Sequence, residues 1–319
     1  MTEIQPDQKS NCRTAALHIP VLLNAAIDAL SIKPGNVYVD GTLGGGGFSE
    51  EILKRLNGDG FLIGIDRDSS AVKNVSSKFE AEFNNKNFKL VHSNFSKIDD
   101  IVKAVGFPGI DGVVLDLGIS SIQLGSGRGF SFNEEGKGAD DTAGGGLDMR
   151  MDAESGLTAY DIVNRYSEQN IADVIYKYGD EKFSRRIAKR IIEYRKNKPV
   201  ETPSELADIV RKAVYRGYGK FKKFKTDPAT KTFMALRIFV NEEYDSLSEF
   251  LSKLDGILKK DGRAVIISFH SGEDRLVKNF LRNNIDFKPL NKKPVVPGEE
   301  EIKNNPRSRS AKLRAFYHV

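Results

Sequence analysis

Short, continuously apolar runs alternate along this chain with segments whose apolar residues recur every three or four positions. The runs Val37 to Asp40, Gly60 to Asp66, Phe88 to Val91, Gly112 to Leu117 and Gly262 to Phe269 read as buried strands, and the terminal K-L-R-A-F-Y-H-V as a last one. Between them, Val72, Val75 and Phe79 form one helical stripe, and Ile98, Ile101, Val102 and Val105 form another. After Asp227-Pro228 a third stripe, Phe233, Leu236, Val240, Leu247, Leu251, Leu254 and Leu258, predicts one long helix with Asp227 as its N-cap. Strands alternating with helices predict an α/β fold, a doubly wound, mostly parallel sheet. Such sheets bind ligands beyond the C-terminal ends of their strands. Asp40, Asp66, Asn94 with Phe95, and Asp116 all stand at those ends.

The first strand runs into V-D-G-T-L-G-G-G-G-F-S, and E-E-I-L-K-R-L then begins a helix. Glycines allow positive φ and close backbone approach, and a helix N-terminus offers unpaired N–H groups to an anion. Asp66 lies about 20 residues beyond the loop, where an acid can accept both hydroxyls of a nucleoside ribose. The dinucleotide pattern G-x-G-x-x-G would place its third glycine at Ser49, so it is incomplete. Asp40, just before the loop, fits an S-adenosylmethionine site better, since an acid there can approach the cofactor's cationic amino-acid end. Phe95 is either a core side chain or a platform for adenine.

The alternation breaks after the fourth strand. Residues 119–146 are rich in Gly and Ser, and 136–146 hold five glycines among small and acidic residues, which predicts an active-site loop with a mobile second half. Helical segments follow at about Asn170 to Tyr178 and at Lys182 to Lys196. Another begins at Thr202-Pro203-Ser204-Glu205, a capping box with proline first in the helix. The organisation expected is a disordered tail over 1–16, a ligand-binding domain made of 17–124 and 227–319, and an inserted loop and all-helical domain over 125–226 that recognises substrate.

Charge sharpens that picture. The chain carries a net +5, yet residues 165–226 hold 17 Lys and Arg against 8 Asp and Glu, so the remainder sums to −4. Arg211 to Lys225 has seven basic residues, four aromatics and no acid. Cations for phosphates interleaved with rings for stacking point to single-stranded RNA, with Lys220, Lys222 and Lys223 as candidate contacts; a solvated basic face is the alternative. No apolar run approaches the roughly 20 residues needed to cross a bilayer, and the polar N-terminus lacks a signal peptide's apolar core. Cys12 is the only cysteine and there are four histidines, so a cytoplasmic protein with neither disulfide nor metal is expected.

Seven blocks in order, H-I-P-V-L-L (18–23), Y-V-D-G-T-L-G-G-G-G (38–47), V-V-L-D-L-G-I-S-S (113–121), R-G-F-S-F (128–132), L-D-M-R-M-D (147–152), P-A-T-K-T-F-M-A-L-R-I (228–238) and S-F-H-S-G-E-D-R (268–275), resemble the RsmH, or MraW, family. The resemblance implies a Rossmann-like class I methyltransferase acting with S-adenosylmethionine on the 4-amino group of a cytidine in the decoding region of small-subunit (16S) ribosomal RNA. It implies cofactor contacts at Gly46, Gly47, Phe48, Asp66, Phe95, Asp116 and Gln123. It leaves open whether the assembled subunit or naked RNA is the substrate, and whether the protein is a homodimer. Phe48 stands where the family commonly has His or Tyr, Asp227 where it has His, Met234 where it has Gln, and Gly272 where it has Leu.

An amino-methyltransferase must hold a delocalised amine in line with the methyl group, accept its hydrogen bonds and exclude water. Asp116, Ser120, Ser121 and His270 are all candidates for the acceptor, and His270 could equally be structural. Arg128, Phe130 and Phe132 could help to unstack the base. The rival readings are a nicotinamide-dependent oxidoreductase, a DNA amino-methyltransferase, and a non-catalytic RNA-binding protein that kept the fold. The second would carry Pro-Pro after the strand-four acid, where this chain has Asp116-Leu-Gly-Ile.

Overall fold

The computed structural model describes residues 20–82, 87–132, 146–154, 156–218, 224 and 226–319. Its strands are β1 (Val37–Asp40), β2 (Phe61–Asp66), β3 (Phe88–His92), β4 (Ile110–Asp116), β5 (Leu258–Ser268), β6 (Phe287–Pro289) and β7 (Lys312–His318). They form one sheet in the order β3-β2-β1-β4-β5-β7-β6. β1 pairs in parallel with both β2 and β4, while β7 inserts antiparallel between β5 and β6. The strand order reverses at β1 and β4, and a crevice opens there. β6 escapes sequence reading because its three residues are too few to show a period.

A period of two sorts the core into two faces. Val39, Ile63, Ile65, Val113, Leu115 and Ile266 pack with apolar residues of the helices Ile98–Val105, Glu243–Ile257 and Ser271–Asn283. The alternate residues Tyr38, Leu62, Val114, Val265 and Ile267 pack with the helices Leu23–Leu30, Gly47–Leu56 and Ser69–Glu82. A third cluster gathers Phe130, Leu147 and Met149 with the helices Ala159–Arg165, Glu168–Gly179, Ser184–Arg195 and Pro203–Tyr218. The helix Thr230–Val240 gives Phe233, Leu236 and Val240 to that same cluster and leads into Glu243–Ile257, which packs on the sheet.

Two helices begin with reciprocal capping. Thr202 Oγ1 accepts from Glu205 N at 3.2 Å while Glu205 Oε2 accepts from Thr202 N at 3.3 Å, as the sequence pattern requires. Thr158 and Asp161 make an equivalent box at the start of Ala159–Arg165, a helix too short for a legible stripe.

The single long helix expected after Asp227 is in fact two, Thr230–Val240 and Glu243–Ile257. Asn241 breaks it. Its fully buried side chain donates to Met149 O at 2.8 Å and accepts from Met151 N at 2.8 Å, and Glu242 then takes a left-handed φ of 49°. Bonds to the L-D-M-R-M-D segment outweigh helix continuity. Asp227 accordingly caps a turn and not the helix: Oδ1 accepts from Ala229 N at 2.8 Å and Oδ2 from Arg211 Nε at 2.9 Å. The expected tail, the Gly-rich half of the long loop, and Lys220, Lys222 and Lys223 lie outside the described residues.

Candidate active site

A cavity of about 560 Å³ opens at the C-terminal ends of β1, β2 and β4. The glycine loop forms its floor, held by two backbone bonds, Gly41 N to Val114 O and Leu43 N to Ile65 O, and by Gly44 N donating to the Asp66 side chain at Oδ2, 2.8 Å away. Gly46 adopts φ 79° and caps the helix Gly47–Leu56, which has no capping side chain. Gly47 and Phe48 open that helix and line the cavity. A Cβ on Gly47 would lie 2.4 Å from Pro20 Cγ, so glycine there lets Pro20 close down beside the loop.

Gly47, Phe48, Asp66, Phe95, Asp116 and Gln123, six of the seven residues expected at a cofactor, share this cavity wall. Gly46 is the exception. It packs outward against Val75 and Phe79, so its role is to turn the chain. Phe48 is almost wholly buried with Ile52 and Val21. Phe95 meets Phe250 edge-on at 5.7 Å and also lines the cavity. Gln123 Oε1 accepts from Ser120 N at 3.1 Å.

Asp40 does not play the part the sequence suggests. It is fully buried beneath the loop, where Oδ2 accepts from Ser49 Oγ at 2.6 Å and Oδ1 from Thr42 N at 3.2 Å. Its carboxyl holds the loop to the following helix and has no approach to a ligand. Burial outweighs these bonds and pushes its pKa up to about 6.

Asp66 is built for a polar ligand. Oδ2 accepts from Gly44 N and Oδ1 from Asp68 N, both at 2.8 Å, which leaves each oxygen with lone pairs to spare at the cavity wall. Burial raises its pKa against those two bonds. Asp116 is less satisfied: Oδ1 is buried with no partner among the described residues. Burial pushes its pKa well up, and the charges of Asp40 and Glu273 add to the rise. An orphaned buried oxygen in a cavity wall is costly unless a ligand completes it.

Sequence reasoning missed the opposite wall. Arg237 and Glu243 both line it, joined by two bonds of 2.8 Å, Nε to Oε1 and Nη2 to Oε2. Glu273 lines it too, 2% exposed, with Oε2 accepting from Phe269 N at 2.9 Å and Oε1 lying 3.1 Å from His270 Nε2. Burial alone would raise the Glu273 pKa, but His270 and then Arg237 hold it below the usual carboxylate range. The available signal was position: Glu273 follows His270 by three residues at a helix start, so it faces the same strand end. Glu243, His270 and Glu273 bring ligand atoms within 4.8 Å of one another, a cluster that sequence spacing did not reveal. Glu243 in this cluster is already paired with Arg237.

His270 packs between Glu273 and the ring of Tyr244, 5.7 Å away. Gly272 is explained by the same tyrosine, because a Cβ there would lie 1.8 Å from Tyr244 Oη. A side chain at 272 and a tyrosine at 244 exclude each other in this packing.

Arg128 and Phe130, expected to meet substrate, are engaged internally. Arg128 Nη2 donates to Asp68 Oδ2 at 2.8 Å, and Nη1 to Arg150 O and Met151 O at 3.0 Å. Phe130 is 9% exposed in the helical cluster, and Phe132 lies 4.5 Å from the Phe233 ring. The R-G-F-S-F block thus braces the helical module against the end of β2, beside the cavity. Ser120 lines the cavity, with its Oγ accepting from Gln123 N at 3.2 Å.

Residues 15–319 match the family described as the MraW methylase family. A ribosomal RNA small subunit methyltransferase H from Caldicellulosiruptor bescii is 43% identical over 95% of this chain and 99% of its own length. The protein of that description from Clostridioides difficile is 41% identical over 93% and 97%, and the one from Rickettsia conorii is 43% identical over 93% and 97%.

Proposed function

Since the chain belongs to the MraW methylase family, we propose that it transfers a methyl group from S-adenosylmethionine to the 4-amino nitrogen of a cytidine in small-subunit ribosomal RNA. The observation that carries this reading is the shared cavity. The glycine loop, the Asp66 carboxylate with spare lone pairs, the Phe95 ring and the unpartnered Asp116 oxygen face one space of about 560 Å³, a size that suits a nucleoside cofactor. The assembled subunit as substrate, a cytoplasmic setting and recognition through Lys220, Lys222 and Lys223 belong to the same proposal. Among the described residues no helix is long and apolar enough to cross a membrane.

The residues fit the cofactor. Asp66 would accept from the ribose hydroxyls, Phe95 would lie against the adenine, and the N-terminal turn of Gly47–Leu56 would face the carboxylate end. When bound, S-adenosylmethionine supplies a methyl group already activated on sulfur. The chain's own task is to orient the amine, accept its hydrogen bonds and keep water out. Glu273 suits the acceptor's part: it is ionised, nearly dry, and fixed by the Phe269 N–H. Asp116 is pushed toward its neutral form in the same cavity, so the two acids would differ in protonation and can divide the roles of donor and acceptor. His270, with Nε2 3.1 Å from Glu273 Oε1, would help to position that carboxylate.

Methyl transfer from labelled cofactor to small subunits lacking the modification tests the function, and no incorporation overturns it. Two variants test the residues. Asp66→Ala is expected to weaken cofactor binding by about 10-fold or more, the scale of lost hydrogen bonds to a charged group; calorimetric titration measures it, and unchanged affinity removes Asp66 from the site. Glu273→Gln is expected to lower single-turnover methylation by roughly 10- to 100-fold with cofactor affinity preserved. Equal turnover in that variant would pass the acceptor role to Asp116.

A further inference from the structure

A groove of about 500 Å³ crosses the helical module between Glu168–Gly179 and Thr230–Val240, apart from the cofactor cavity. Tyr166, Asn170, Tyr176, Lys177, Tyr178 and Phe239 line it. Tyr176 is 63% exposed and has no ring contact among the described residues, so packing does not account for it. Lys177 holds its ammonium 4.9 Å over the Tyr178 ring at the groove's edge. Asp173 is the groove's acid, and its carboxylate accepts from Gln169 Nε2 at 2.8 and 3.0 Å.

The groove connects with the reaction site through a series of rings. Tyr166 meets Phe239 at 6.2 Å, Phe239 meets Tyr178 at 5.5 Å, Tyr178 meets Tyr244 at 5.6 Å, and Tyr244 meets His270 at 5.7 Å. His270 in turn contacts Glu273, which lines the cofactor cavity. We propose that this groove is a stacking subsite for an unpaired nucleotide that flanks the target cytidine in the RNA strand. The inference rests on the RNA-methylating reading above. Its occupant is argued from three features: an exposed ring with no ring contact among the described residues, a cation beside it for a phosphate, and a series of packed rings that leads from the groove to the wall of the cofactor cavity. An exposed tyrosine face takes any base, and a lysine beside it adds a salt-dependent phosphate contact. Asn170 offers both a donor and an acceptor to a base edge. The surplus of basic residues over 165–226 gives this module the charge to attract the strand.

The test uses the full chain and two variants, Tyr176→Ala and Tyr176→Phe. The probes are a single-stranded oligoribonucleotide with 2-aminopurine beside a cytidine, and unmodified small subunits. Tyr176→Ala is expected to weaken oligoribonucleotide binding and raise KM for subunits by about 10-fold or more, to relieve the 2-aminopurine quenching seen with the parent, and to leave kcat and cofactor affinity within 2-fold of the parent's, roughly the scatter expected for a substituted surface side chain. Tyr176→Phe, which keeps the ring, is expected to match the parent. Unchanged oligoribonucleotide affinity and KM overturn the subsite. A rise in KM for subunits with unchanged oligoribonucleotide binding also overturns it, because the groove would then dock a subunit protein. If the parent methylates no subunit while Tyr176→Ala still weakens oligoribonucleotide binding, the subsite stands and the methylation reading fails.

Discussion

Arg237→Ala is expected to lower the stability of the protein by about 3–5 kcal/mol, the cost of leaving one partner of a buried ion pair behind. The Arg237 and Glu243 side chains are only 13% and 12% exposed, and two bonds of 2.8 Å join them. Alanine would strand the Glu243 carboxylate in the cavity wall, at the first turn of Glu243–Ile257. Replacing both partners, Arg237→Met with Glu243→Leu, is expected to restore most of the loss, since an apolar pair of similar volume carries no desolvation cost. Urea unfolding followed by circular dichroism measures all three proteins. A single-variant loss under about 1 kcal/mol would mean that the pair is solvated and contributes as a surface bridge does.

Asp40 leads to a pH dependence of definite sign. Its folded pKa, about 6, exceeds its ordinary value of 3.8. Between those values the folded state therefore binds more protons than the unfolded state, and stability falls as pH rises. The contribution is fully present below about pH 4 and is lost as pH climbs through 6. It amounts to about 3 kcal/mol at roughly 1.4 kcal/mol per pKa unit. Asp40→Asn is expected to flatten that part of the profile. Asparagine keeps an acceptor for the Thr42 N–H and can donate to Ser49 Oγ, so the loop keeps its bonds without a charge to bury. Unfolding free energies at pH 4.5 and pH 7.5 compare the two proteins. A parent that gains stability relative to Asp40→Asn over this interval would show that the carboxylate is the preferred folded form.

The loop itself explains why Asp40 was misjudged. An acid before a glycine turn can reach a ligand or turn back to the turn's own donors, and both uses leave the same residues in the chain. Ser49 decides between them, yet it looks in sequence like an ordinary first-turn residue. Arg128 is a similar case: a cation on a Gly-rich stretch suggests substrate, and only the approach of Asp68 and the Arg150 and Met151 carbonyls shows that three of its five N–H donors are engaged within the protein. Asn241 ended a helix whose apolar stripe runs on without interruption, through bonds to residues some 90 positions away.

Local physics made the sheet legible. Apolar runs bounded by glycines and caps specify strands and helices within the segment itself, and strand ends then identify where a ligand must sit, which is why Asp66, Phe95 and Asp116 could be named from the chain alone. The far wall could not. Arg237, Glu243 and Glu273 come from three helices brought together only when β5 takes its place beside β4. Each is an ordinary charged residue until burial removes water from it. What the sequence determined by itself is the fold class, the glycine loop and the acid at the end of β2 that lines the cavity, because these depend on residues close in the chain. Which acid's pKa is raised, which is lowered and which rings pack in series toward the cavity were decided by tertiary structure, because pKa and packing depend on neighbours that chain order does not reveal.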